Sequence, residues 1–170
     1  MTLSYYLGVD PGLSGALAFY DPIRNNLVVH DMPTVAVKVA GKKKRTIDLH
    51  ALANLVDHLG DLTISAIIEE VGAMPKQGVT SSFNFGFNAA CAQMAIVSKG
   101  IKLSLVRPAV WKREMHLSRD KESSRVEASR LMPKHATKWP LKKDDGRAEA
   151  ALLAYYLSQR ERNLSIGDML

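Results

Sequence analysis

Residues 5–32, YYLGVDPGLSGALAFYDPIRNNLVVHDM, decide the fold class. An apolar run at 5–9 stops at Asp10-Pro11-Gly12. A second run, 15–20, ends at Asp21-Pro22 and Asn25-Asn26, and a third covers 27–32. Proline presets φ for a turn, and glycine and asparagine accept the left-handed conformations that turns need. Short apolar runs cut by such residues are strands, and two tight connections in succession impose an antiparallel meander.

Beyond the meander the pattern changes period. Residues 35–45 alternate weakly around Gly41 and carry Lys42, Lys43, Lys44 and Arg45, which predicts an exposed hairpin or loop. Leu49, Leu52, Ala53, Val56 and Leu59 follow at helical spacing, with Asp48 placed as an N-cap. Strands are expected at 65–71 and 101–106, separated by a Gly/Pro/Ser loop at 72–82 and an Ala-rich helix at 83–98. A short turn of helix follows Pro108, a further helix spans 121–131, and 132–143 is irregular because of Pro133 and Pro140. The final helix, 145–159, is apolar nearly all round. Three strands followed by alternating helices and strands give an α/β fold, a mixed sheet flanked by helices. The expected domain is single, spanning 1–160, with 161–170 a frayed tail.

The chain has 170 residues, a formal net charge of +6 and an isoelectric point near 9.5. From 99 to 143 there are thirteen Lys/Arg against four Asp/Glu. A basic balance gathered in strips suits a polyanionic partner, although a solvated face has the same composition. No apolar run reaches the roughly 18 residues of a membrane span. The N-terminus has neither the basic segment nor the cleavage site of a signal peptide. Cys91 is the one cysteine, so an intrachain disulfide is excluded and a reducing cytoplasm is the expected compartment.

The carboxylates carry the chemistry. Asp10 ends the first strand, and Glu69 and Glu70 end the strand containing Ala66, Ile67 and Ile68. Each has an ordinary explanation, a turn aspartate or a strand end reaching solvent. Glu149 is harder to explain. It stands in Ala148-Glu149-Ala150-Ala151-Leu152-Leu153, where an ionised carboxylate is costly unless paired or metal-bound. Asp145, four residues earlier, projects from the same helical face. A divalent cation would turn their repulsion into attraction. Alternatively, Asp144 and Asp145 cap the helix, with Arg147 or Lys143 offsetting Glu149. Together these acids make the donor set of a two-metal phosphodiesterase. Hard oxygen ligands favour Mg²⁺, with Mn²⁺ able to substitute, over zinc, and His30, His50, His58, His116 and His135 lack zinc-site spacing.

These segments resemble the RuvC family of Holliday junction resolvases. Leu7-Gly8-Val9-Asp10-Pro11-Gly12 looks like the family's first acidic motif and Ile68-Glu69-Glu70-Val71 like its second. Asp145-Gly146-Arg147-Ala148-Glu149-Ala150 is similar to its closing acidic helix, in a bacteriophage-like spelling. The resemblance runs from Leu7 to about Tyr156. It implies an RNase H-like nuclease domain, a homodimer, and paired nicks across four-way or otherwise branched DNA. It also implies two Mg²⁺ ions held by Asp10, Glu69, Asp145 and Glu149, with Glu70 second choice to Glu69. Arg107-Pro108-Ala109-Val110-Trp111-Lys112 is similar to the family's proline-to-lysine segment. That similarity makes Lys112 a catalytic candidate and places Lys121 near a second functional lysine. Lys42, Lys43, Lys44, Arg45, Lys76, Arg107, Lys112, Arg113 and Lys121 are the candidate DNA contacts. Trp111 is read as a packing residue.

Two departures from the family pattern stand out. Gly72 occupies the place where bacterial members carry a stacking aromatic, so Phe83 or Phe85 is the candidate replacement, with Phe87 nearby. Glu149 stands where aspartate is common. The 83–98 helix is a candidate dimer interface or simply core. Other readings are a different RNase H-like nuclease, debranching or RNA-strand-cutting, and a non-catalytic DNA-binding module. Asp10-Pro11-Gly12 also resembles a phosphate motif of actin-like ATPases, but those need a second nucleotide-binding half that 170 residues cannot supply.

Overall fold

The computed structural model describes residues 4–70, 72, 78–118, 120 and 122–167, with side chains as far as 164. Strands β1 (Tyr5–Asp10), β2 (Ala16–Asp21) and β3 (Asn26–Asp31) form the expected antiparallel meander. Strands β4 (Thr34–Val39) and β5 (Lys42–Ile47) form a hairpin of their own. Helix α1 (Leu49–Gly60) leads into β6 (Thr63–Glu69), and α2 (Val79–Val97) into β7 (Lys102–Val106). Helices α3 (Pro108–Glu114) and α4 (Ser123–Leu131) follow. Next come 3-10 turns at Pro133–Lys138 and Lys142–Asp144, then α5 (Asp145–Gly167). The main sheet has the order β3-β2-β1-β6-β7, with β6 parallel to both β1 and β7. It is a mixed sheet flanked by helices, the fold class expected from the sequence.

Strand alternation divides the core. Leu7, Val9, Leu17, Phe19, Ala66 and Ile68 pack toward α1 and α2, where they meet Leu52, Val56, Ala92 and Ile96. Ala16, Ala18 and Ile67 pack on the opposite face against α5, with Trp111 and Trp139 completing that core. Residues 148 and 150–154 of α5 are fully buried, as an all-round apolar helix requires. Close crossing depends on Gly8: a Cβ there would lie 2.2 Å from the Ala150 carbonyl oxygen. Asp48 caps α1, accepting from the Ala51 N–H at 2.9 Å.

Some boundaries differ from the sequence expectation. Helix α2 begins at Val79, because a loop-like Val-Thr-Ser-Ser stretch is drawn into its first turn with Gly78 as cap. The stretch 161–170, expected to fray, begins as a continuation of α5 to Gly167. Residues 159–164 contain neither Gly nor Pro, so nothing local stops the helix. The 132–143 segment is two short 3-10 turns. Among the described residues, no helix is long and apolar enough to cross a membrane.

Candidate active site

Asp10 and Glu69 are presented on one face of the sheet by period-two alternation. Asp10 shares its face with Gly8 and Glu69 shares its face with Ile67, and that is the face α5 covers. The same rule separates the two glutamates. Glu69 is half-buried and accepts a hydrogen bond from the Trp111 indole Nε1 at 2.8 Å. Glu70 turns the other way and pairs at 3.3 Å with exposed Arg107.

The first turn of α5 is pressed against the turn after β1. A Cβ at Gly146 would lie 2.5 Å from the Ser14 carbonyl oxygen and 3.0 Å from Asp10 Oδ2. Asp10 is half-buried and accepts from the Gly12 N–H at 3.1 Å. Burial, opposed by the Gly12 N–H and reinforced by the charges of Glu149 and Glu69, pushes its pKa up to about 7. Burial also raises the Glu69 carboxyl, against the pull of Lys112 and the Trp111 indole.

Lys112 sits among these acids. Its Nζ donates to Glu149 Oε1 at 2.9 Å and lies 5.3 Å from the centre of the Trp111 ring. Burial disfavours the ammonium, yet the bond to Glu149 and the charges of Glu149, Glu69 and Asp10 outweigh it and raise its pKa. Ser124 Oγ donates to the same Glu149 oxygen at 3.0 Å. Thus Lys112 offsets Glu149, whereas Arg147 and Lys143, the sequence candidates, do not. Arg147 holds Asp31 through both carboxylate oxygens, at 2.5 and 2.6 Å. Asp144 caps backward onto the Leu141 N–H at 2.9 Å.

Asp145 faces Arg125 instead of Glu149. Arg125 Nε lies 3.1 Å from Asp145 Oδ1, but the two are not aligned as a hydrogen bond, and both buried atoms lack a hydrogen-bond partner. Ser124 and Arg125 were missed from sequence, since nothing local distinguishes them on a basic helix. Trp111 is fully buried, as expected of a packing residue, but its N–H contact to Glu69 was not foreseen.

Among the described residues, no three carboxylates, imidazoles or thiols are close enough together to form a ready-made metal cage. The physical reason is the intervening Lys112 ammonium and the turn of Asp145 to Arg125. The donor chemistry nevertheless suits a hard divalent cation. The acids present only oxygen, the surroundings of Asp10 disfavour its anionic form in the absence of added positive charge, and Asp145 has an orphaned buried oxygen.

The other candidates are spread over the surface. Lys42, Lys43, Lys44 and Arg45 are exposed on the β4–β5 hairpin, and Arg107 and Arg113 are exposed around α3. Lys76 and Lys121 lie outside the described residues. Phe83 is 72% exposed and Phe87 43%, while Phe85 is half-buried.

Neither protein-family profiles nor curated protein sequences match the chain. Solved structures do. Thermus thermophilus RuvC in complex with a Holliday junction substrate superposes with a TM-score of 0.59 at 12% identity. The alignment covers 92% of this chain and 96% of that one. The chain has a RuvC-type fold. A second Thermus thermophilus RuvC structure gives a TM-score of 0.55 over the same shares, again at 12% identity. The superpositions establish the fold; at 12% identity they say nothing of this chain's chemistry.

Proposed function

We propose that this protein is a metal-dependent endonuclease that resolves four-way DNA junctions by paired, symmetric nicks. The observation that carries the reading is Asp10: a half-buried carboxyl with its pKa pushed up to about 7, beside Glu69 and Glu149, on a RuvC-type fold. Desolvated carboxylates in mutual repulsion are costly, and a cation stabilises them.

Asp10, Glu69, Asp145 and Glu149 would hold two Mg²⁺ ions, with Mn²⁺ able to substitute. Bound there, such ions supply activation of the attacking water and stabilisation of the leaving 3′-oxygen. The chain's own residues prepare the site. Trp111 fixes Glu69 through its indole N–H, Ser124 orients Glu149, and Arg125 stands over Asp145. Lys112 neutralises Glu149 in this structure. Once other positive charge takes over that task, its ammonium is able to turn to a phosphate oxygen as a point charge. Lys42–Arg45, Arg107 and Arg113 hold the DNA arms by phosphate contacts, and Phe83 is the ring best exposed for base stacking.

A homodimer matches two nicks related by a two-fold axis. Its proposed interface is the C-terminal part of α2, where Phe87, Ala90, Met94 and Val97 form an exposed apolar stripe at helical spacing and leave Phe83 free toward the DNA. Sedimentation of Met94→Lys/Val97→Lys against wild type tests it. A monomeric wild type would remove the interface.

The decisive experiment is cleavage of a synthetic four-way junction with Mg²⁺ or Mn²⁺, for wild type and Glu149→Gln. Linear duplex, fork and RNA–DNA hybrid serve as controls. Symmetric nicks that vanish in the variant while binding survives are the expected result. Equal cutting of forks would make it a general branch nuclease, and cutting of the hybrid an RNA-strand nuclease. No metal-dependent cutting by folded protein would leave a DNA-binding module.

A further inference from the structure

A cavity of about 300 Å³ opens between the turn after β1, the base of the β4–β5 hairpin and the start of α5. Ser14, Gly15, Asp31, Arg45, Lys143 and Arg147 form most of its wall. Its floor abuts the acid cluster, because a Cβ at Gly15 would lie 2.2 Å from the Asp10 carbonyl oxygen.

The charges in this wall are unequally matched. Asp31 is occupied by Arg147 through both oxygens, and Asp144, also in the wall, accepts from the Leu141 N–H. Arg45 bonds only a neutral oxygen, Ser14 Oγ, at 2.8 Å. Neither Arg45 nor Lys143 forms an ion pair among the described residues, so the cavity carries an excess of positive charge beside a half-buried cluster of acids.

The hairpin register supplies an independent observation. Lys38 stands directly opposite Lys43, and Ala36 opposite Arg45. By period-two alternation Lys38, Lys43 and Arg45 share one face of the hairpin. Like charges paired across a hairpin destabilise it, and among the described residues this hairpin pairs with no other strand. Tethers hold it in place: Arg45 Nη2 to Ser14 Oγ at 2.8 Å and Lys44 Nζ to Asn84 Oδ1 at 3.3 Å. A ladder of cations thus leads outward from the cavity along a fixed face, and a polyanionic strand lying on it would reverse the repulsion.

We propose that this cavity is a phosphate subsite for the strand being cut. It takes a phosphodiester flanking the scissile one, with Arg45 as the principal contact, Lys143 and the Ser14 hydroxyl as supports, and Lys43 and Lys38 engaging the next phosphates outward. The guanidinium fork of Arg45 suits bidentate phosphate recognition better than a lysine would. This subsite deepens the nuclease reading and rests on it.

The test measures binding of a fluorescent four-way junction in EDTA, so that binding is read without cutting. Each phosphate around the cut is replaced in turn by a neutral methylphosphonate. With wild type, one flanking position is expected to weaken binding by about tenfold, and Arg45→Gln to weaken binding of the unmodified junction similarly while lowering the salt slope by about one. In Arg45→Gln that same methylphosphonate should have no further effect, while other positions keep theirs. Arg45→Lys should fall between the two. Arg45 is exposed, and an unchanged melting temperature verifies that the variant folds. The subsite is overturned if Arg45→Gln binds as wild type does, or if its effect adds to that of every methylphosphonate. Normal junction cutting with Mg²⁺ alongside either result would remove the subsite and leave the nuclease reading intact. Failure of wild type to bind or cut branched DNA would remove both.

Discussion

The acid end of the sheet and the β4–β5 hairpin concentrate charge of opposite sign, and they handle it in opposite ways. At the acid end, Asp10, Glu69 and Glu149 are enclosed by β1, β6, α3 and α5. Charge there is expressed as a raised carboxyl pKa and as recruitment of Lys112. On the hairpin, Lys38, Lys42, Lys43, Lys44 and Arg45 are all exposed, and water and salt screen their repulsion to a small cost. Buried charge of one sign makes a site that demands a particular counter-charge at a particular place. Exposed charge makes a surface that accepts any polyanion but holds it loosely. Chemistry belongs to the first region and grip to the second, and the Arg45 cavity is where they meet.

The comparison breaks most visibly at Asp10. If that carboxylate holds metal, Asp10→Asn should lose several kcal/mol of transition-state stabilisation, about a 10³-fold drop in junction cleavage. Junction binding in EDTA should change by less than about twofold, since the hairpin is untouched. A cleavage rate within tenfold of wild type would move the chemistry elsewhere.

The next largest effect concerns pH. The unfolded carboxyl of Asp10 titrates near 3.8 and the folded one near 7. Between those values the folded chain keeps a proton that the unfolded chain has lost. The stabilisation from this group is therefore full below about 3.8 and disappears as pH rises through 7. At about 1.4 kcal/mol per unit this amounts to a few kcal/mol. Metal-free protein should melt progressively lower from pH 4.5 to 8, and Asp10→Asn should flatten the profile. An equally steep profile in the variant would place the proton on another group.

A smaller effect is expected at Lys112. Removing it leaves Glu149 without its counter-ion in a half-buried setting, and partial solvent screening reduces the loss to about 1–2 kcal/mol. Lys112→Ala should then melt about 2–8 °C lower without metal, and Mg²⁺ should restore part of the difference. No rescue by Mg²⁺ would separate the ion pair from the metal site.

The smallest effect has the opposite sign. Lys43→Gln relieves the Lys38–Lys43 repulsion and should stabilise the metal-free fold by about 0.2–1 kcal/mol while weakening junction binding. Thermal melts and binding isotherms on one preparation would show both. Destabilisation by this substitution would mean the lysines are held by something other than their like-charged partner.

Local pattern was enough to draw most of the architecture. Turn residues at 10–12, 21–22 and 25–26 announced the meander, the Leu49–Leu59 stripe announced α1, and a run of buried small residues announced α5. The hairpin turn could be located but not specified: Ala40 and Gly41 both adopt positive φ, 49° and 77°, the conformation of a type I′ turn. The site was legible as a set of acids and illegible as an arrangement. Lys112 and Glu149 are 37 residues apart, and Trp111 and Glu69 are 42 apart. No periodicity connects positions so distant.

What the sequence determined by itself was the alternation that sets Glu69 and Glu70 on opposite faces of their strand, and the apolar surroundings that make Glu149 costly. Both follow from the fixed geometry of strand and helix, which acts within a few residues. What only the tertiary structure decided was the partner of each acid: Lys112 and Ser124 for Glu149, Arg125 for Asp145, the Trp111 indole for Glu69, and Arg45 at the edge of the Asp10 turn. Those choices depend on which side chains the packing of separate elements brings within about 3 Å, and that information is absent from the order of residues along any one of them.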